Sequence, residues 1–371
     1  MESRDIKVLH VEVEPGWRGG QRQALLLAKK LVERGVNVLF AAPRGSEMLR
    51  RVQEEELPFW PLRTNSQLNP IGIWGLHRAI ARFRPDIVHL HSSRSHGLGV
   101  VAAKLFGKER PKIVVHRRVD VSPRGKGVFN SYKYGAADLY IAISRRVASS
   151  LEGFVPKEKI VVVYSGVEAI DTEPNRRERI REEFGIKPDE PLIGSVGALV
   201  EHKDFVTFVS AAKIVVSERP EAKFIIFGEG PERQKLEHAI EQVGLQNFFI
   251  LAGFREQAPE DICAFDIFVL PSSSEGLGTS ALDAMNYAIP VIASDSGGLV
   301  EIIEHGRNGL LFSSGDSKKL SEMIVFLIND KSRRFELGRR AQNLFYQKFT
   351  SDRMADEVLY IYKSRVLGRK P

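Results

Sequence analysis

The sequence predicts an α/β protein made of two doubly wound domains. Short apolar, β-prone runs alternate with helical patterns along the chain, which is typical of parallel sheets covered by helices. A length of 371 residues is comfortable for two such domains. The alternation also begins again after Ala169–Glu190, a charged segment with two prolines that predicts a linker and a short helix at Arg176–Glu183. We therefore expect domains at 1–170 and 171–350, followed by a terminal helical segment at 351–371.

The first half opens with strand Ile6–Val13 and a glycine-rich loop that ends in Gly19-Gly20. A helix is predicted at Gln21–Arg34, because small and apolar residues recur on one face and Gly35 stops the pattern. The further elements predicted here are strands Val36–Ala42, Asp86–Leu90, Lys112–His116, Asp138–Ile143 and Lys159–Val163, with helices at Ile71–Phe83 and from Ser144.

The second half repeats this style of strand followed by helix. The predicted strands are Pro191–Val196, Ala222–Phe227, Phe248–Leu251, Ile267–Leu270 and Pro290–Ala293. The predicted helices are Asp204–Val216, Glu232–Val243, one from Thr279, Lys318–Ile328, Ser332–Phe349 and Ser351–Leu367.

Composition narrows the class of protein. A net charge of +7 favours phosphorylated ligands or anionic lipid, and without a nucleic-acid-binding motif we expect no nucleic acid partner. The single cysteine, Cys263, excludes an internal disulfide and fits a reducing compartment. With no visible signal peptide and no apolar run of about 20 residues, we expect a cytoplasmic protein, either free or peripheral at the inner face of the membrane.

The stretch Pro271–Glu301 reads as strand, loop, helix and strand, which is a βαβ unit with its ligand edge at the loop. Glu275 lies in the loop and Asp283 on the first turns of the helix. Backbone N–H groups of Leu277, Gly278 and Thr279 lie at the positive end of the helix dipole. This combination suits a diphosphate flanked by hydroxyl-rich sugars. The alternative is a surface loop with a helix cap.

Histidines follow two of the predicted strands. His89, His91 and His96 raise the possibility of a metal site, but no cysteine or acid cluster completes a ligand set. We therefore interpret them as core or loop residues and predict no metal. His116 ends its strand, where α/β enzymes place chemistry. It is either a catalytic candidate or a residue that fills the strand end.

The central stretch carries a Pro-Ser opening, a Glu-Gly-x-Gly step, Pro290, the Gly297-Gly298 pair and Glu301. This constellation resembles the nucleotide-binding half of retaining family-four glycosyltransferases. The resemblance spans nearly the whole chain and is strongest from Gly194 to Gly309. It implies the GT-B architecture: two Rossmann-like domains facing a cleft, with the C-terminal helix crossing back to the first domain.

The resemblance also implies roles for single residues. His116 would lie near the donor sugar, Glu275 would hold the sugar's hydroxyls, and Lys203 would reach the diphosphate, which makes these three the catalytic candidates. Asp283 would bind the ribose. The full set expected to bind the donor nucleotide-sugar is Gly19, Gly20, Gly228, Gly230, Arg255, Leu277, Gly278, Thr279 and Asp283.

Three positions depart from the family pattern. Ala198 stands where the family has an arginine that contacts the diphosphate, so we expect weaker donor binding unless His202 or Arg255 supplies the charge. Asp283 replaces the second glutamate of the Glu-x7-Glu signature, and Ser165 replaces an asparagine.

The implied activity is transfer of a sugar from a nucleotide-sugar to a saccharide or glycolipid acceptor, with retention and with neither metal nor cofactor. We expect a cell-envelope glycolipid or lipid-linked saccharide as the acceptor. A basic run after His116 is expected either to meet an anionic acceptor or membrane headgroups or to be simply solvated; it comprises Arg117, Arg118, Arg124, Lys126 and Lys133. The alternatives are a sugar-nucleotide epimerase of the same architecture and a non-catalytic binding relative.

Overall fold

A computed structural model of the chain describes residues 6–64, 66–120, 128–170 and 173–369. The chain forms two compact units. Unit 1 runs from the start of the chain to Gly166 and resumes at Ser351, and unit 2 is Val167–Thr350.

Within the described residues, unit 1 holds a parallel seven-stranded sheet in the order β3-β2-β1-β4-β5-β6-β7. Its strands are β1 (Lys7–Val11), β2 (Asn37–Pro43), β3 (Phe59–Leu62), β4 (Ile87–Leu90), β5 (Lys112–Arg117), β6 (Leu139–Ala142) and β7 (Ile160–Val162). Its first six helices are α1 (Gly19–Glu33), α2 (Glu47–Glu54), α3 (Pro70–Phe83), α4 (Ser93–Lys104), α5 (Val128–Ala136) and α6 (Arg145–Ser149). The central strands are buried on both faces, as their near-continuous Val, Ile and Leu content requires.

Unit 2 is organised in the same way around a parallel sheet. Its described residues give six strands in the order β10-β9-β8-β11-β12-β13. These strands are β8 (Leu192–Val196), β9 (Lys223–Phe227), β10 (Phe249–Leu251), β11 (Ile267–Leu270), β12 (Val291–Ser294) and β13 (Leu310–Phe312). The helices are α7 (Arg176–Glu183), α8 (Phe205–Glu218), α9 (Arg233–Gln242), α10 (Ala258–Asp261), α11 (Thr279–Asn286), α12 (Leu299–Ile302), α13 (Ser317–Asn329) and α14 (Lys331–Lys348).

The last helix, α15 (Ser351–Ile361), belongs to unit 1 and continues into a π-helical turn, Tyr362–Val366. Its apolar face, with Val358 and Tyr362, joins the core that also contains the buried leucines of α1. Arg34, just after α1, is bonded to Asp356 and Asp352, which fixes the position of α15 along α1. The predicted return of the C-terminal helix to the first domain is therefore confirmed.

Some elements lack a clear sequence pattern. The strand β3 was not predicted because Pro61 interrupts it, and a proline is tolerated there because β3 is an edge strand. The helix α4 lies where a loop was expected, since serine, histidine and two glycines obscure its period. Ser92 caps it together with Ser95. Among the described residues, no helix is long and apolar enough to cross a bilayer.

Candidate functional site

Two predicted residues of unit 2 meet at the carboxyl edge of its sheet. Lys203 ends a single 3₁₀ turn after β8, and Glu275 lies in the loop after β11. The Lys203 Nζ donates to Glu275 Oε2 at 2.9 Å, and the two side chains are only 12% and 16% exposed. The residues are far apart in sequence, and they meet because β8 and β11 are paired neighbours.

Backbone hydrogen bonds hold the Glu275 loop in place. The N–H of Ser273 donates to the His202 carbonyl at 2.9 Å, which ties this loop to the Lys203 turn. The N–H of Gly298 donates to the Glu275 carbonyl at 2.8 Å. A Cβ at Gly297 would lie 2.1 Å from the same carbonyl oxygen, so the Gly297-Gly298 pair allows the loop after β12 to pack directly on Glu275.

The amino end of α11 faces the same loop. Gly278 precedes this helix with φ of 90°, a conformation that side chains disfavour, and no side chain of the described residues caps the helix. The N–H of Ala281 donates to the Gly278 carbonyl at 3.0 Å, so the N–H groups of Thr279 and Ser280 are the ones suited to an anion, and binding of the donor diphosphate there stays a prediction. Leu277 and Asp283 are both nearly buried, at 1% and 4% exposed, one before the helix and one a turn into it.

Gly228 and Gly230 have a packing role in this unit. A Cβ at Gly228 would lie 1.9 Å from the Gly197 carbonyl oxygen, and one at Gly230 would lie 2.3 Å from the Leu199 carbonyl oxygen. The loop after β9 therefore presses on the loop after β8, which leads to Lys203. The close approach explains why both positions are glycine, and a contact with the donor nucleotide stays a prediction.

Arg255 is bound into an ion-pair cluster. Its Nε donates to Asp261 Oδ2 at 2.6 Å, and its two terminal nitrogens donate to the Glu183 carboxylate at 2.6 and 3.0 Å. These hydrogen bonds, first of all the one to Glu183, raise the pKa of Arg255. A ligand that takes this guanidinium must compete with two carboxylates, so Arg255 is a poor substitute for the charge missing at Ala198.

Unit 1 holds a cavity of about 420 Å³ at the carboxyl edge of its own sheet. Gly20, at the start of α1, lines it together with His91, His116 and Arg118. Gly19 is the first residue of α1, so the predicted Gly-Gly turn lies at the positive end of a 15-residue helix. Arg18 and Gln21 also line the cavity, beside the carboxylates of Glu12 and Glu14.

Four buried histidines lie on one face of the sheet beneath this cavity: His10, His89, His91 and His116. His10 and His89 are cross-strand partners of β1 and β4. The rings of His10 and His91 lie 5.1 Å apart and those of His89 and His116 5.3 Å apart, both nearly parallel. Burial is the main cause that lowers the pKa of each histidine, to about 3 for His10, so all four are neutral at pH 7.

Arg118 determines which nitrogen of two rings carries the proton. Its Nη2 lies 3.4 Å from Nδ1 of both His91 and His116. Arginine can only donate, so both Nδ1 atoms accept and the proton of each neutral ring is on Nε2. His91 then donates through Nε2 to Nδ1 of His10 at 2.8 Å. His116 is therefore a hydrogen-bond donor through Nε2, and this buried atom has no partner within the described part of the chain.

The ligand atoms of His10, His89 and His91 lie within 4.8 Å of one another, which is close enough to share a metal ion. Imidazole nitrogens suit Zn²⁺. However, a metal on Nε2 of His91 would require a proton on Nδ1, where it would face the donor-only Arg118. The buried positive charge of Arg118 also opposes a divalent cation, so this cluster suits a metal poorly.

The predicted basic run is not an exposed surface where the structure describes it. Arg118 is half-buried, with its Nε and Nη1 atoms shielded from solvent, and burial lowers its pKa to about 10. Lys133 is buried, and its Nζ donates to the Ser93 carbonyl at 2.7 Å and to Gln67 Oε1 at 3.2 Å. The interpretation of Lys133 as a headgroup-binding or solvated cation was therefore wrong, whereas a contact of Arg118, which lines the cavity, with an anionic acceptor stays a prediction. Arg124 and Lys126 lie outside the described residues.

Sequence reasoning missed two contributors to this site, His10 and Tyr362, and named Arg118 only as part of the basic run. Tyr362, from the π-helical turn, is hydrogen bonded to Nδ1 of His89 across 273 positions of sequence. For His10 the sequence did hold a signal, because it lies two positions after Val8 in a predicted strand and so shares the face of that apolar residue. For Tyr362 there was none, because its contact depends on the return of α15.

Comparison with known proteins agrees with this arrangement. The family model for glycosyl transferases group 1 matches residues 176–344, and that for glycosyltransferase family 4 matches residues 17–169. The chain is 25% identical over 283 residues to the N-acetyl-alpha-D-glucosaminyl L-malate synthase of Bacillus anthracis, covering 75% of this chain and 74% of that protein. It is 24% identical over 381 aligned positions to the UDP-Gal:alpha-D-GlcNAc-diphosphoundecaprenol alpha-1,3-galactosyltransferase of Escherichia coli, covering 98% of each.

A solved structure shares the fold. Anabaena Alr3699/HepE, crystallised in complex with UDP-glucose, superposes with a TM-score of 0.86 at 21% identity. The match covers 97% of this chain and all of that one.

Proposed function

This chain belongs to the group 1 and family 4 glycosyltransferases with the GT-B architecture, and we propose that it transfers a sugar with retention from a nucleotide-sugar to a lipid-linked acceptor. The observation that carries the donor half of the proposal is the Lys203–Glu275 pair beside the uncapped amino end of α11. One cation and a set of backbone N–H groups suit a diphosphate, and the carboxylate suits sugar hydroxyls.

In the proposed reaction the bond between the anomeric carbon and the diphosphate oxygen breaks, and an acceptor oxygen bonds to that carbon on the same face. The acceptor's proton passes to the departing diphosphate, so no separate catalytic base is needed. Lys203 and the N–H groups of α11 would stabilise the charge that develops on the leaving group. His116, a neutral Nε2–H donor, would hold a hydroxyl of the sugar rather than act as a base. No metal is required in this scheme.

Two similar proteins support uridine diphosphate as the carrier, and one of them supports a lipid-linked saccharide as the acceptor. The Escherichia coli relative, aligned over nearly its whole length, is named for UDP-Gal and for a diphosphoundecaprenol acceptor. The Anabaena structure was obtained with UDP-glucose. A soluble acceptor is the alternative, as in the L-malate synthase. A lipid-linked acceptor would place the protein at a membrane surface.

Calorimetric titration with UDP, GDP, ADP and CMP, without added metal, tests the donor half. We expect saturable binding of UDP and no comparable heat from the other three nucleotides. If none of the four nucleotides gives a saturable heat of binding, the proposal is contradicted.

The role of Glu275 is tested by Glu275→Gln, which keeps the shape and removes the charge. A charge-assisted hydrogen bond contributes about 1.5–3 kcal/mol, so kcat/KM should fall about 10- to 150-fold. The matched control is Glu237→Gln, which breaks a similar ion pair, 2.8 Å from Arg233 Nε, on α9. The control should keep its activity. If Glu275→Gln also keeps it, the assignment of Glu275 is wrong.

A non-catalytic binding relative is the second candidate, and Ala198 is the observation that favours it. Arg255 is engaged by Glu183 and Asp261, so it does not replace the missing arginine charge. Binding of UDP without transfer to any lipid-linked acceptor would favour this candidate.

A further inference from the structure

An exposed apolar patch lies on the outer face of α3 and on the end of α4 in unit 1. It consists of Leu68, Ile71, Trp74 and Leu105, which are 51%, 63%, 61% and 61% exposed. Ile71 and Trp74 lie three positions apart and so share one side of α3, and Leu68 lies in the turn just before the helix. The opposite side of the helix, with Leu76 and Ile80, is already buried in the core.

Stacked rings join the α3 part of the patch to the α4 part. The ring of Trp74 stacks on His77 at 5.8 Å, and His77 stacks on Phe106 at 4.2 Å, next to Leu105. The Nδ1 of His77 also lies 3.3 Å from the Ala102 carbonyl oxygen, which joins α3 to α4. Large apolar side chains held together on a surface in this way mark an interaction site.

The charge near the patch along the chain is mostly positive. Arg63, Arg78, Lys104 and Lys108 lie on or next to the segments that carry the patch, and none of them forms an ion pair with another described residue. From Phe59 to Glu109 the acidic residues are Asp86 and Glu109, and Glu109 is exposed in the same 3₁₀ turn as Lys108. Asp86 precedes β4, at the amino edge of the sheet, where it accepts the N–H of Lys7.

The patch also borders the cavity of unit 1. Gln67, next to Leu68, accepts from Lys133 Nζ, which also donates to the carbonyl oxygen of Ser93. Ser93 and His96 line the cavity that contains His116. A lipid-embedded acceptor held against the patch would therefore have its headgroup beside the cavity.

We propose that this patch docks on an anionic lipid bilayer, with Ile71 and Trp74 entering the interface and the nearby cations facing the headgroups. An apolar face with an exposed tryptophan and an excess of cations along its segments matches that partner. The identity of the partner rests on the lipid-linked acceptor proposed above, whereas docking is measured without catalysis.

The test is co-sedimentation of the full chain with vesicles of phosphatidylcholine alone and with vesicles that also contain phosphatidylglycerol. We expect binding only to the anionic vesicles, and release at high salt. Trp74→Ser and Arg78→Glu should each weaken vesicle binding about tenfold. UDP binding should be unchanged in both variants, and urea unfolding followed by the fluorescence of Trp17 and Trp60 should show that unit 1 is folded in both.

Two matched controls lie in unit 2. Phe335→Ser removes an aromatic side chain that is 68% exposed, and Lys213→Glu reverses an exposed charge. Both should bind vesicles as the original protein does. Equal binding by Trp74→Ser, or no binding of the original protein to anionic vesicles, would overturn the proposal. If the original protein is a dimer that does not bind vesicles, and Trp74→Ser makes it monomeric, the bilayer proposal is overturned and the patch binds a second copy of the chain. Vesicle binding without binding of any nucleotide would contradict only the proposed function.

Discussion

Acidification should destabilise unit 1 steeply between pH 7.5 and 5.5. Five of the nine histidines are buried there with lowered pKa values: His10, His89, His91, His96 and His116. A lowered pKa means that the unfolded state binds protons near pH 6.5 that the native state does not bind. The free energy of unfolding therefore decreases as pH falls through 6.5.

The magnitude follows from counting protons. A histidine with pKa of about 6.5 when unfolded, and neutral when folded, lowers the stability by about 1.4 kcal/mol between pH 7.5 and 5.5. Five such residues give an upper bound of about 7 kcal/mol, comparable with the whole stability of a typical domain. Ordinary carboxylates contribute little in this window, because they titrate near pH 4. Burial raises the pKa of Glu12, so the folded state can take up a proton at this carboxyl as the pH falls. This uptake offsets the loss of stability caused by at most about one histidine.

The assay is urea unfolding at several pH values, followed by tryptophan fluorescence. The three tryptophans, Trp17, Trp60 and Trp74, all lie in unit 1 and report on that unit alone. His10→Gln should reduce the pH-dependent loss by about one fifth of the total. The control His238→Gln, in unit 2, should leave it unchanged. A loss below about 1 kcal/mol over this window would refute the neutral histidine cluster.

Three further predictions concern packing, reactivity and donor affinity. Gly228→Ala should cost about 2 kcal/mol or more in stability, because its Cβ would lie 1.9 Å from the Gly197 carbonyl oxygen, whereas Gly135→Ala, with open space around its Cβ, should be nearly neutral; urea unfolding followed by far-UV circular dichroism, which reports on both units, measures the two. Burial raises the pKa of the Cys263 thiol to about 11, so a thiol reagent at pH 8 should label it only after unfolding, and rapid labelling of the native protein would contradict its burial. Ala198→Arg should tighten UDP binding about tenfold by calorimetry, because it adds a cation beside the loop of Lys203, and unchanged affinity would show that the missing arginine is not what limits the site.

The local pattern of the chain was enough to predict most of the strands and helices and to mark Glu275, Lys203 and His116 at strand ends. Buried parallel strands are short continuous apolar runs, and the turns after them need glycine and serine, so each signal lies within a few neighbouring residues. Elements without such a signal were missed, as the proline-bearing edge strand β3 and the glycine-containing helix α4 illustrate.

Only the tertiary structure decided which of these residues meet and in what state. The Lys203–Glu275 pair depends on the pairing of β8 with β11, and the histidine cluster draws on three strands and on Tyr362 from the returning α15. The position of the Arg118 guanidinium against two imidazole rings turned an apparently solvated cation into the group that determines the protonated nitrogen of His116. Sequence alone could not supply these facts, because protonation and partnership depend on which segments the fold brings within a few ångströms, whereas a strand's apolar pattern is carried by its own residues.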